Sequence, residues 1–171
     1  DDALQTASSL DPGSEELTFV QGALGHLALI RRRFPEAERL LQSALRTMRP
    51  AVAERVAKDP DATPPPALWR LLHDLGRLAG EHGQLEAAEP YLTAALDGRR
   101  ASFGDLHPET VESFVSLGTL YVRAKEPKLA DPVLRKALEA SRGTFGAEHP
   151  AVADRLVDVA LNCNALGAAA V

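Results

Sequence analysis

Three stretches of the chain repeat one another at an interval of 42 residues, and this period limits the fold more than any other feature. Leu72-His-Asp-Leu75-Gly76-Arg-Leu-Ala79 aligns with Phe114-Val-Ser-Leu117-Gly118-Thr-Leu-Tyr121, and then with Leu156-Val-Asp-Val159-Ala160-Leu-Asn-Cys163. Pro66, Pro108 and Pro150 keep the same interval, as do Pro90 and Pro132. An earlier copy stands upstream: Gly25 precedes Ala37 by 12 residues, as Gly76 precedes Ala88 and Gly118 precedes Ala130. Gly25 and Gly76 are 51 apart, so nine extra residues fall in the proline-rich stretch between Met48 and Pro66. Repeats of this length cannot bury their apolar faces alone and must stack on their neighbours.

Each unit reads as two helices. Leu72, Leu75, Leu78 and Ala79 recur at helical spacing, followed by Leu85, Ala88, Leu92, Ala95 and Leu96. Ala and Leu supply most of the apolar content, and aromatics are only 5%, which favours helix over strand. Small residues recur where two antiparallel helices must cross closely: Gly25, Gly76, Gly118 and Ala160 on the first helix, then Ala37, Ala88 and Ala130, with Ala44, Ala95 and Ala137 one step on.

These residues resemble the tetratricopeptide repeat, whose pattern runs large–x2–Leu–Gly–x2–Tyr, then Ala, an aromatic or Leu, and Ala. The third unit fits it with Phe114, Leu117, Gly118, Tyr121, Ala130, Leu134 and Ala137. The long period and the linkers Phe103-Gly-Asp-Leu-His107-Pro108 and Phe145-Gly-Ala-Glu-His149-Pro150 look like the kinesin light chain subtype, which also occurs in bacterial regulatory proteins. Repeats of that subtype usually carry an Asn pair that holds a peptide backbone. The matching positions here are His73-Asp74, Val115-Ser116 and Val157-Asp158. The resemblance implies an all-α chain, an α-α superhelix (TPR solenoid) of about three and a half helix-pair repeats.

The expected organisation is a single solenoid domain over 1–171. Residues 1–12 read as the end of a preceding repeat, and 14–58 as repeat 1 with an extended second helix. A proline-rich loop follows at 59–66, then repeat 2 at 66–103, repeat 3 at 108–145, and the first helix of repeat 4 at 150–171. Helices are expected near 14–31, 35–58, 66–81, 85–101, 108–124, 127–142 and 150–166, after a short one at 1–10, with bounds good to about 2–4 residues. The last helix lacks a partner and a polar cap, so the chain reads as part of a longer repeat protein, as one with a partner over that end, or as a shortened chain.

In the resembling family the first helix of each unit lines the concave surface. Counting from the motif glycines gives Phe19, Gly22, His26 and Leu29; Arg70, His73, Arg77 and Gly80; Glu112, Val115, Thr119 and Val122; and Asp154, Val157, Leu161 and Asn164. The candidate protein-binding residues are Arg70, His73, Arg77, Glu112, Thr119, Arg123 and Asn164. Arg70, His73 and Arg77 share one helical face. Arginines so grouped could hold a carboxylate through charge-assisted bonds, which suits an acidic peptide or a C-terminus. The other reading is a solvated face paired with Glu112. The first unit's face, with Phe19, Leu29 and Ile30, either packs on the preceding helix or anchors a partner.

Other chemistries find no support. The five histidines are His26, His73, His82, His107 and His149, and none completes a ligand set. His107 and His149 recur with the linker, which argues for a role in the turn. Cys163 is the one cysteine; it takes the place of Tyr121 and is expected to pack as a small apolar residue, and no intrachain disulfide is available. There is no glycine-rich phosphate loop. No catalytic residue, metal or cofactor is therefore expected. A net charge of -5 argues against a nucleic-acid partner, with Arg31-Arg32-Arg33 placed at a helix C-terminus. No apolar run is long enough to span a membrane. The chain is expected to be cytoplasmic, an exported and processed chain being the alternative. Its expected function is a protein-interaction scaffold rather than an enzyme. A regulatory segment of a larger signalling protein, and a self-assembly module acting through the uncapped last helix, are the other classes.

Overall fold

The computed structural model describes residues 14–59 and 62–168. Seven helices follow in order: α1 (Glu15–Ile30), α2 (Phe34–Lys58), α3 (Pro66–Glu81), α4 (Leu85–Phe103), α5 (Pro108–Arg123), α6 (Pro127–Phe145) and α7 (Pro150–Ala168). The helix expected at 1–10 falls outside the described residues. α4 and α6 run to Phe103 and Phe145, further than the apolar spacing alone indicated.

Helix starts are written in the sequence. Pro66, Pro108, Pro127 and Pro150 open their helices, where the missing N–H has no intrahelical partner. Ser14 caps α1, its Oγ accepting from Leu17 N at 3.1 Å. The recurrent linker histidines do the same work. His107 Nδ1 accepts from Glu109 N at 3.3 Å, and His149 Nδ1 from Ala151 N at 3.2 Å. Each ring stacks on the phenylalanine four residues before it, with centroids 4.5 Å apart for Phe103–His107 and 5.0 Å for Phe145–His149. Gly104 and Gly146 make the turn between stack and preceding helix with φ of 82° and 89°, which only glycine adopts without strain. The turn role expected of these histidines is thus that of an aromatic-stacked N-cap.

Within a repeat the two helices pack as α1 on α2, α3 on α4 and α5 on α6, and each second helix also meets the next first helix. The first helices touch one another, α1 with α3 and α3 with α5, forming the inner layer. The crossing is set by glycine. A Cβ on Gly25, Gly76 or Gly118 would lie 2.7, 2.6 or 2.5 Å from the side chain of Leu41, Leu92 or Leu134 respectively. Those leucines are equivalent in the repeat, and the alanines flanking them, Ala37 and Ala44, Ala88 and Ala95, Ala130 and Ala137, are fully buried. The core is continuous in character: Leu41, Leu45, Leu71, Leu75 and Leu78 form one cluster, and Leu92, Leu96, Phe114, Leu117 and Leu120 the next. Each fully buried Leu contributes about 1.5–3 kcal/mol relative to exposure. Ala160, the fourth member of the glycine series, is exposed. With no helix beyond α7 among the described residues, Leu156 and Leu161 are also open to solvent.

Candidate protein-binding groove

The inner face of α3 and α5 carries the sequence-selected residues at two depths. Arg70, Arg77, Glu112, Thr119 and Arg123 reach the surface, and Asn164 is exposed on α7. His73 does not reach it: only 1% exposed, it lies between α3 and α5 with Nε2 hydrogen-bonded to Ser116 Oγ at 2.9 Å. Burial first, then the nearby charges of Arg99, Arg77 and His26, push its pKa down to about 3, so the ring is neutral at ordinary pH. In this structure His73 ties two repeats together and offers no atom to a bound partner.

Beside it lies Asp74, equally buried, whose carboxylate receives His26 Nδ1 from α1 at 2.9 and 3.0 Å. That hydrogen bond raises the His26 pKa against the opposing effect of burial. A second buried group was invisible in the sequence. Arg99, on α4 and 2% exposed, donates to Glu109 O at 2.9 Å and Ser113 Oγ at 2.8 Å. It also ion-pairs with the Glu109 and Glu112 carboxylates at 3.4 and 3.6 Å. Periodicity could not reveal it, because an arginine on a second helix reads as a surface residue until the facing helix is placed.

The surface arginines are each matched to a glutamate of another helix. Arg70 meets Glu109 at 3.6 Å, Arg77 meets Glu112 at 3.9 Å, and Arg123 meets Glu81 at 3.3 Å. Glu81 also takes Arg32 at 3.5 Å, so one carboxylate joins arginines of the repeats on either side of its own. Long, exposed pairs of this kind are worth about 0–1 kcal/mol each. Between α3 and α5 a shallow cleft of about 130 Å³ opens beside Arg77, Ser116, Thr119 and Arg123.

The first unit's face is divided. Leu29 is buried in the core, whereas Phe19 and Ile30 are largely exposed. Cys163 is exposed, which corrects the expectation that it packs: Tyr121, its counterpart, lies against the core, whereas among the described residues no helix after α7 covers Cys163. Among the described residues no His, Cys, Asp and Glu side chains gather as a metal set, and no helix is long and apolar enough to cross a membrane.

Comparison with known proteins agrees with this architecture. Residues 70–142 match the family model described as tetratricopeptide repeat. No curated protein matches the sequence. Among solved structures, BtubC (BKLC) from P. vanneervenii superposes with a TM-score of 0.76 at 20% identity, covering 97% of this chain and 63% of that one. The chain therefore spans less than two thirds of that relative's length. A kinesin light chain-like protein of nearly identical TPR-like repeats from Podosopora anserina gives 0.72 at 19% identity, covering 96% and 74%. A singly substituted form of that protein gives 0.74 at 18%, with the same coverage. With an in-phase repeat, paired helices and a family-model match over residues 70–142, the centre of the chain is similar to the tetratricopeptide repeat, and the whole has a kinesin light chain-like solenoid fold.

Proposed function

We propose that the chain is a protein-interaction scaffold that takes a peptide or protein subunit on the inner face of α3 and α5, with an acidic segment of the partner at Arg70, Arg77 and Arg123. Tetratricopeptide repeats are generally protein-interaction scaffolds and typically not enzymes, and the proposal extends to a chain that is non-catalytic, cytoplasmic, and without a nucleic-acid or membrane partner. The observation that carries the reading is the quality of the arginine pairs. All three are long and half-exposed, so an incoming carboxylate displaces Glu109, Glu112 or Glu81 at little cost. The test compares wild type with the Arg70→Glu/Arg77→Glu variant, in capture from cell extract and in binding of a labelled glutamate-rich peptide. Loss of both in the variant supports the groove; equal binding by both proteins excludes it.

A second reading has its own observation. Leu156, Val157 and Leu161 of α7 are 45%, 57% and 62% exposed, an apolar surface suited to self-association. Light scattering over a range of concentrations tests it, and a strict monomer rejects it.

A further inference from the structure

The first repeat contains a cavity at a position that the second repeat fills with its own tryptophan. In the second repeat Trp69 of α3 lies against Gly98 of α4, where any Cβ would overlap the indole, and its Nε1–H donates to Ser102 Oγ at 3.2 Å. The offset between these two repeats is 51 residues, so the corresponding positions are Thr18, Thr47 and Ala51. All three line a cavity of about 340 Å³ between α1, α2 and the start of α3. The third repeat closes the same place with buried Val111 and Ala140.

The cavity's chemistry follows from its walls. Thr18 gives its hydroxyl to Ser14 O at 3.0 Å and Thr47 to Ser43 O at 3.3 Å, so their polar atoms are already engaged within their own helices. Phe19, Met48 and Val52 complete an apolar lining, with Phe19 63% exposed at the mouth. Met is a side chain that adapts readily to a ligand's shape. Arg55, exposed near the end of the extended α2, is the charged residue among the described residues of the wall. The volume lies within the range of small-molecule sites, which are mostly apolar with a few polar groups that fix orientation.

We propose that this cavity is a binding site for a small, flat, two-ring aromatic acid. The rings occupy the space equivalent to the Trp69 indole, and the carboxylate pairs with Arg55. The site is separate from the arginine groove, and the Arg70→Glu/Arg77→Glu variant leaves it unchanged.

The probes are 2-naphthoate and its uncharged counterpart 2-naphthylmethanol, titrated into the full chain and followed by NMR. Met48 is the chain's one methionine, so its methyl reports the cavity without ambiguity. Saturable shifts of Met48, Thr18 and Thr47 are expected with both probes. Arg55→Gln weakens naphthoate about tenfold and leaves naphthylmethanol unchanged. The Thr18→Trp/Thr47→Gly variant rebuilds the arrangement of Trp69 on Gly98, melts at higher temperature and binds neither probe. Shifts away from Met48, or undiminished binding by that folded variant, overturn the proposal. If circular dichroism shows the double variant unfolded, Arg55→Gln decides alone: equal loss, or no loss, for both probes overturns it. Binding by a chain lacking residues 1–13 but not by the full chain also overturns it, because the occupant is then the chain's own N-terminal segment.

Discussion

His26 reaches from the first repeat to the buried carboxylate of Asp74 in the second, with Nδ1 2.9 Å from Oδ2. Arg77 and Glu112 face His26, Arg99 faces Asp74, and His73 stands next to Asp74 with Nδ1 3.9 Å from Oδ1. Folding raises the His26 pKa, so the folded state binds its proton more tightly than the unfolded chain. The resulting stabilisation is complete below the unfolded pKa of about 6.5 and is lost as pH rises through the raised folded value. His73 has the opposite sign. Its folded pKa is about 3, so from about pH 6.5 downward the unfolded chain takes up a proton that the folded chain refuses, and stability falls toward pH 3. Urea denaturation across pH 4–9 is expected to show His26→Gln flattening the alkaline limb and His73→Gln flattening the acidic one. Unaltered limbs in both variants would refute the assignment.

Much of this fold is legible in sequence because the repeat states it three times over. Gly76 and Gly118 fall 42 residues apart, and each meets the equivalent leucine of its second helix. Proline at a helix start and histidine before it likewise recur with the period. The groove was less legible. Phase counting selects Arg70, Arg77 and Glu112, with Arg123 next to that set, and all four reach the surface of α3 and α5. The same counting cannot tell His73, buried against Ser116, from its exposed neighbour Arg70, because depth depends on how closely the adjacent repeat approaches. Arg99 and the cavity beside Thr18 follow from contacts across repeats, which no single helix's periodicity encodes.

Two glycines one turn apart in α3 should respond in opposite directions. A Cβ at Gly76 meets Leu92 Cγ at 2.6 Å and the Ala88 carbonyl oxygen at 3.2 Å, a backbone atom with little room to move. Gly76→Ala is expected to destabilise by about 1–3 kcal/mol through overpacking. At Gly80 the nearest neighbour of a new Cβ is Leu120 Cδ1 at 3.7 Å, an ordinary contact. Gly80→Ala should stabilise by about 0.5–1 kcal/mol, because alanine loses less backbone entropy in a helix. Thermal melts of the two single variants are enough; a shift of the same sign in both would contradict the packing described.

The buried Arg99 predicts an asymmetry between its removal and that of its partners. Burial lowers its pKa, while Glu112 and Glu109 oppose the shift. Glu109→Gln/Glu112→Gln removes both carboxylates that ion-pair with a buried cation and leaves it the weaker field of Asp74, which is expected to cost about 3–5 kcal/mol. Arg99→Met removes the cation and keeps apolar volume, and the two glutamates, both partly exposed, rehydrate. Its expected cost is about 1–3 kcal/mol, chiefly from Ser113 and the Glu109 carbonyl losing a donor. Chemical denaturation should therefore rank the glutamate pair as the more damaging change, and the reverse order would show that Arg99 is held by packing rather than by charge.

The turn between the two helices of each repeat has one residue with positive φ, filled differently in each copy. Arg32 has φ of 57°, Gly83 of 73° and Lys125 of 59°. Only the second repeat uses glycine, the residue that accepts this region without a Cβ clash. A non-glycine residue there bears about 1–2 kcal/mol of strain, partly offset because glycine gives the unfolded chain more freedom. Lys125→Gly is the clean case, since Arg32 also pairs with Glu81. It should raise stability by about 0.5–1 kcal/mol, and Gly83→Ala should lower it by a similar amount. Because the same backbone shape recurs at both sites, the two effects should nearly cancel in the double variant. A melt of Lys125→Gly at or below wild type would mean that the lysine side chain contributes a contact outweighing its backbone strain.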